Sequence, residues 1–115
     1  MDAEFLKQVE QFSNLKTAIE TKKRNGLEKA NNKLIFAYNG GLFRADPTTI
    51  LFVKMHSADR DLIMLDTNQN PIKITDTEGF LTKSESCYFE AMNEYHQLYE
   101  QIKTQRSVKK LMNND

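Results

Sequence analysis

The 115-residue sequence has little of what marks several large classes of protein. Its formal net charge is zero, because 16 basic residues balance 16 acidic ones, and this excludes an overall basic protein that binds polyanions through its net charge. A single cysteine, Cys87, cannot form an intrachain disulfide and favours a cytoplasmic protein. No apolar run reaches the roughly 18 residues that a membrane span needs. The N-terminus also lacks the basic segment and apolar core of a secretory signal, so we expect no membrane partner.

The strongest strand signals lie within residues 33–74. Asn39-Gly40 separates two short apolar runs and predicts a β-hairpin, because both central residues of a type I′ turn need positive φ. Asp46-Pro47 then ends the second strand, because proline has no N–H to donate to a ladder. Two strands joined by a tight turn are therefore expected before Asp46.

Three further strands complete this part of the prediction. Residues 48–56 alternate two largely apolar faces, which predicts a central strand covered on both sides. Residues 61–66 predict a fourth strand, and residues 71–74 a short fifth strand that tolerates proline at its first position. Five short strands with tight connections predict a mainly β fold with flanking helices (α+β), built on a strongly bent antiparallel small barrel. A flat five-stranded antiparallel sheet with helices on one face is the alternative.

Helices are predicted on both sides of the strands. Residues 2–24 place an apolar side chain every three or four positions, and Asn25-Gly26 supplies a C-terminal stop. Residues 77–106 show the same spacing after a capping box that begins at Thr75. The two apolar stripes are Phe5, Val9, Phe12, Leu15 and Ile19 in the first helix and Tyr88, Met92, Tyr95, Tyr99 and Ile102 in the second. We therefore expect one domain over residues 1–106, followed by a polar tail at residues 107–115.

Few residues are candidates for catalysis or metal binding. His56, His96 and Cys87 are the only soft ligands and have no paired ligand spacing, so we expect neither a metal site nor a cofactor. Cys87 and His96 lie nine residues apart along one predicted helix, so they cannot form a nucleophile–base pair. The carboxylates that cluster around one predicted turn are Asp59, Asp61 and Asp66. Aspartates at strand ends usually form turns, so we predict no catalytic residue and no enzyme.

Cationic and aromatic side chains on or beside the strands predict a surface that binds nucleic acid. Small barrels bind single strands by aromatic stacking combined with a few cations. The candidates are Tyr38 for stacking, Arg44, Lys54, His56 and Arg60 for phosphate, and Asn68 and Gln69 for base edges or sugar. The alternative is that these side chains form only a solvated face.

Two resemblances to known families follow from these residues. The N-terminal helix, the hairpin around Asn39-Gly40, the strand at residues 48–56 and the hairpin at residues 62–74 together resemble the Sm-like small barrel. The chain is also similar, over nearly its whole length, to a family of small proteins from marine cyanophages and ocean metagenomes. The motifs that carry this similarity are Tyr38-Asn39-Gly40-Gly41, Leu65-Asp66 with Asn70-Pro71-Ile72-Lys73, and Met92-Asn93-Glu94-Tyr95 with Arg106-Ser107-Val108.

The Sm-like resemblance implies a homo-oligomeric ring, from pentamer to heptamer, in which the fourth strand of one subunit pairs with the fifth strand of the next. It also implies binding of single-stranded RNA or DNA, and the phage resemblance implies the cytoplasm of an infected cell. The sequence departs from the Sm signature, because no asparagine follows the third predicted strand and no Arg-Gly pair follows the fourth. The alternative function is a virion-assembly or protein-interaction module that binds no nucleic acid.

Overall fold

A computed structural model describes residues 2–57 and 60–112, and it shows a fold that is dominated by helices. The described residues form, in order, α1 (Ala3–Lys33), β1 (Ile35–Tyr38), β2 (Gly41–Arg44), α2 (Pro47–His56), β3 (Leu62–Leu65), β4 (Pro71–Ile74) and α3 (Thr77–Met112). The four strands make two separate two-stranded antiparallel sheets, β1–β2 and β3–β4. The predicted five-stranded Sm-like barrel is therefore wrong, and so is the alternative of one flat five-stranded sheet.

The barrel prediction failed at residues 48–56, which form most of α2 instead of a central strand. The Asp46 side chain accepts a hydrogen bond from the Thr49 backbone N–H at 2.7 Å, so Asp46 caps the helix. Pro47 occupies the first turn, where its missing N–H costs nothing and its fixed φ suits a helix. An aspartate cap contributes about 1 kcal/mol. That offsets part of the lower helix propensity of the β-branched residues in α2, which costs up to about 0.7 kcal/mol each.

The first hairpin, β1–β2, is confirmed. Asn39 and Gly40 have φ values of 50° and 82°, as a type I′ turn requires. The register is regular, with Tyr38 opposite Gly41 and Phe36 opposite Phe43. The backbone at Gly41 approaches the second hairpin closely, because a Cβ atom there would lie 2.7 Å from Cγ1 of Ile72. Glycine at this position therefore allows the two hairpins to pack together.

The second hairpin, β3–β4, is also confirmed, although its strands are the third and fourth of the structure. Leu62 pairs with Ile74 and Leu65 pairs with Pro71. The turn between them depends on Asp66, whose carboxylate accepts hydrogen bonds from the backbone N–H groups of Asn68 and Asn70, each at 2.9 Å. Asp66 thus forms a turn, as its position at a strand end predicts.

The helices are longer than predicted. α1 continues through Gly26 to Lys33, and Gly26 lies against Leu98, where a side chain on residue 26 would require Leu98 to move. α3 begins at Thr77 with Asp76 as its cap, since the Asp76 side chain accepts a hydrogen bond from the Gly79 N–H at 3.0 Å. The predicted cap at Thr75 is one residue too early. α3 then continues to Met112, beyond the predicted end near Arg106.

The chain divides into two compact units, one with the residues up to Glu28 and from Tyr95 onward, and one with Lys29–Glu94. In the first unit, parts of α1 and α3 bury Ile19 and Ile102. The second unit contains both hairpins and α2, with an aromatic cluster at its centre. The Phe80 ring lies 5.2 Å from the ring of Phe36 and 5.2 Å from that of Phe43, in edge-to-face arrangements. Such pairs add about 0.5–1.5 kcal/mol each beyond the burial of apolar area.

Candidate functional site

The most unusual feature of the second unit is that α2 is apolar on nearly every side and yet largely exposed. Of its ten residues only Val53 is buried, whereas Leu51 is 58% exposed, Phe52 45% and Met55 69%. A helix that is apolar all round is normally buried. Exposing a large apolar side chain forgoes about 1.5–3 kcal/mol relative to burying it. The outer face of α2 therefore exposes apolar side chains to water that would be more stable if a binding partner covered them.

Of these exposed residues, Leu51 also lines a groove between α2 and α3. The α2–α3 groove encloses about 450 Å³. Its lining residues are Pro47, Ile50, Leu51 and Lys54 from α2 and Glu85, Tyr88 and Phe89 from α3. Phe89 lines one wall of the groove, and its side chain is 60% exposed, so no other described part of the chain covers the ring fully. Two helices that flank an apolar groove make a surface of the kind that binds an amphipathic helix.

An ion pair joins the two walls of the groove. The Nζ atom of Lys54 lies 2.8 Å from a carboxylate oxygen of Glu85. Both side chains are partly solvated, so the pair contributes at most about 1 kcal/mol to stability. Its main consequence is that the only two charges in the lining neutralise one another, which leaves the groove without a net charge.

The four candidates for phosphate binding lie on three parts of the chain, and two of them share α2. Arg44 ends β2, and its guanidinium donates a hydrogen bond to the Asn31 side chain at 2.9 Å. Lys54 is paired within the groove. The His56 ring packs on Phe52, with ring centroids 4.7 Å apart. Arg60 is exposed just before β3. Among the residues that the structure describes, no hydrogen bond joins any two of these four side chains.

The remaining candidates for nucleic-acid contact have structural roles. The Tyr38 hydroxyl donates a hydrogen bond to the Asp76 carbonyl at 3.0 Å, and burial together with Asp76 raises the pKa of that hydroxyl. The Tyr38 ring meets Phe80 edge to face at 5.4 Å, so this face of the ring is not free for stacking. Asn68 and Gln69 are exposed in the Asp66 turn, and Gln69 has a positive φ of 65°. Nucleic-acid binding by these residues stays a prediction.

Asp66 is buried, and its carboxylate accepts three backbone hydrogen bonds. Besides the two N–H groups of its own turn, it accepts a hydrogen bond from the Leu42 backbone N–H at 3.2 Å. These hydrogen bonds, led by that from Asn70, lower the pKa of the Asp66 carboxyl, although burial acts in the opposite direction. Thr67 completes the connection by donating its backbone N–H to the Leu42 carbonyl at 2.7 Å. Asp66 therefore joins the two hairpins and is a structural residue.

The other described side chains that could bind a metal do not lie together at one site. Asp61 lies 3.6 Å from the Lys73 ammonium, and His96 lies 3.4 Å from Glu100 along α3. Asp59 falls outside the described residues. Over residues 2–57 and 60–112, no group of three or more histidine, cysteine, aspartate or glutamate side chains could hold a metal ion. No helix in the described part of the chain combines the length and apolar content that crossing a membrane requires.

No family model, curated protein or solved structure matches this chain. The interpretation of the site therefore depends on its own geometry. Sequence reasoning missed the α2–α3 groove because it assigned residues 48–56 to a covered central strand. The signal that could have found it is Asp46-Pro47, a capping residue followed by proline in the first turn, which is a typical helix start.

Proposed function

We propose that this protein is a protein-interaction module whose α2–α3 groove binds an apolar helical segment of a partner protein. The observation that carries the proposal is that Leu51 and Phe89, which line the groove from α2 and α3, are 58% and 60% exposed. Contiguous apolar surface of this kind marks interaction sites in soluble proteins. Phenylalanine and tyrosine, which Phe89 and Tyr88 supply to the groove, are also enriched in the cores of protein–protein interfaces.

The charges of the surface support a protein partner over a polyanion. The Lys54 ammonium in the groove is already neutralised by Glu85. Binding of nucleic acid relies mainly on unpaired cations that contact phosphate. A partner helix would instead cover Leu51 and Phe89, and the partly solvated Lys54–Glu85 pair would present no net charge to it.

The experiment is affinity purification of the tagged full chain, expressed at its natural level in the cells that normally contain it. Leu51→Glu and Phe89→Glu place a charge in the groove at exposed positions, so both variants should fold. Leu27→Glu is the matched control, because Leu27 is an exposed apolar residue of α1 that does not line the groove. We expect one protein to be recovered with the wild type and the control, and at least about tenfold less of it with each groove variant, as for loss of a hot-spot residue.

Two results would contradict the proposal. One is equal recovery of every co-purifying protein with the wild type and both groove variants. The other is recovery of nucleic acid instead of protein, which the ratio of absorbance at the nucleic-acid and protein maxima would reveal. The second result would favour Arg44 and Arg60 as contacts, and substitution of each by alanine would then reduce the salt dependence of binding.

A further inference from the structure

The two edges of the second hairpin are protected to different degrees. In β4, Pro71 has no N–H to offer a neighbouring strand, and the Lys73 carbonyl accepts a hydrogen bond from the Asn39 side chain at 3.2 Å. In β3, no proline or charged residue interrupts the sequence Leu62-Ile63-Met64-Leu65. Edge strands of natural proteins are normally blocked by such devices, because open edges pair with other chains.

The alternation of the ladder shows which backbone groups of β3 face outward. Asp66 donates its N–H to the Asn70 carbonyl at 3.0 Å, which makes this a hydrogen-bonded pair at the turn. Hydrogen-bonded and non-hydrogen-bonded pairs alternate along an antiparallel ladder. Met64 and Leu62 therefore bond across to β4, while the N–H and C=O groups of Ile63 and Leu65 point away from it. Within the described residues, no hydrogen bond satisfies these outward groups.

The side chains at the same two positions are among the most exposed apolar groups of the described chain. Ile63 is 71% exposed and Leu65 is 61% exposed, and both project from one face of the hairpin because they are two residues apart. Leu62 projects from the opposite face and is buried. The open backbone edge and an apolar patch thus occur together on one strand.

We propose that a second copy of this chain pairs with β3, so that two β3 strands run antiparallel across a twofold axis at Met64. In this register Ile63 lies opposite Leu65 of the second copy, and the outward backbone groups of both residues form hydrogen bonds in two hydrogen-bonded pairs. The two β3–β4 hairpins then form one four-stranded sheet. The four exposed side chains, Ile63 and Leu65 from each copy, become neighbours on one face and exclude water from one another.

The charge pattern favours a second copy as the occupant. β3 is flanked by Asp61 and Asp66, so the register must avoid placing like charges opposite one another. With the axis at Met64, Asp61 lies opposite Thr67 and Asp66 lies opposite Leu62. No acidic residue faces another. An isologous contact of this kind closes on itself and forms a dimer without further growth.

The test is the mass of the full chain by sedimentation or light scattering at tens of micromolar. The wild type should have a mass near 26.8 kDa, twice the chain mass of 13.4 kDa. Ile63→Pro removes an N–H that the β3–β4 hairpin does not use, and it should reduce the mass to that of one chain. Ile63→Lys should do the same through charge repulsion across the axis, and it keeps the backbone N–H in case the proline variant fails to fold. Phe89→Lys changes the α2–α3 groove and should leave the dimer intact.

Amide exchange supplies a second readout on the wild type alone. The N–H groups of Ile63 and Leu65 should exchange more slowly at high protein concentration than under dilute conditions. A wild type that remains a single chain at tens of micromolar would overturn the proposal. A dimer that survives Ile63→Pro and Ile63→Lys, or one that Phe89→Lys dissociates, would overturn it as well, because the interface would then lie elsewhere.

Discussion

Two neighbouring stretches of this chain are similarly apolar but differ in how much of their apolar surface is buried. Residues 34–45 fold into the first hairpin and bury Phe36 and Phe43 against Phe80. Residues 47–56 fold into α2 and bury only Val53. The first stretch buries apolar side chains that stabilise the fold, whereas the second leaves them exposed and available to a partner. Apolar content alone therefore does not distinguish a core from an interaction surface.

This difference can be tested by removing one phenylalanine from the core and one from the α2–α3 groove. Phe80→Ala deletes a fully buried ring that contacts three other aromatic rings, so we expect a loss of about 3–5 kcal/mol in the free energy of unfolding. Phe89→Ala, at an exposed ring of the same helix, should change it by less than about 0.5 kcal/mol. Chemical denaturation followed by circular dichroism measures both. Equal losses would show that the groove is part of the core.

A second prediction concerns pH and the connection between the two hairpins. The hydrogen bonds from Asn70, Leu42 and Asn68 lower the folded-state pKa of Asp66, so its contribution to stability is present above the ordinary carboxyl pKa. That contribution is lost as the pH falls through the lowered value. The denaturation midpoint should therefore decrease on acidification. Asp66→Asn should lower the midpoint at neutral pH and make it less sensitive to acid.

Asp61→Asn is the matched control for this experiment. The Asp61 carboxylate is half exposed and lies 3.6 Å from Lys73, so its removal should leave the acid sensitivity nearly unchanged. A steeper or unchanged acid response in Asp66→Asn would contradict the role assigned to Asp66.

A smaller effect is expected from the cap that makes residues 47–56 helical. Asp46→Ala removes the hydrogen bond to the Thr49 N–H and should cost about 1 kcal/mol of stability. Asp46→Ser should recover most of this loss, because serine is an equally good cap. The denaturation midpoints of the two variants provide the measurement. Equal losses in both variants would indicate that the Asp46 carboxylate acts through another contact.

The smallest effect on stability belongs to the exposed face of α2. Leu51→Ser should change the free energy of unfolding by less than about 0.5 kcal/mol, because Leu51 is 58% exposed in the folded chain. The same substitution should reduce recovery of the partner protein. A large loss of stability without a change in recovery would reverse our interpretation of α2.

The parts of the fold that depend on local backbone chemistry could be predicted from the sequence. Asn39-Gly40 identified the first hairpin, because few residues adopt positive φ at two adjacent positions. The second hairpin was also located, since its apolar strands are interrupted by a polar turn. Both predictions depended on interactions between residues close together in the chain.

The parts that depend on tertiary contacts could not be predicted in this way. α1 passes through Asn25-Gly26, a sequence typical of a helix end, and Gly26 packs closely on Leu98. Residues 48–56 contain β-branched residues that favour a strand, and yet they form a helix that begins at the Asp46 cap. The nucleic-acid candidates were chosen for a barrel whose strands and loops would bring them together. In the structure they are divided among both hairpins, α2 and a residue just before β3, and the apolar groove was assigned to the interior.

Photo-cross-linking from position 89 determines whether the α2–α3 groove binds a protein. A photoreactive phenylalanine analogue replaces Phe89, whose ring is already exposed in the groove wall. The control places the same analogue at Gln101, an exposed residue of α3 that does not line the groove. Our account predicts one discrete protein adduct from position 89 and none of that mass from position 101. No adduct from position 89, the same adduct from both positions, or an adduct to nucleic acid would contradict it.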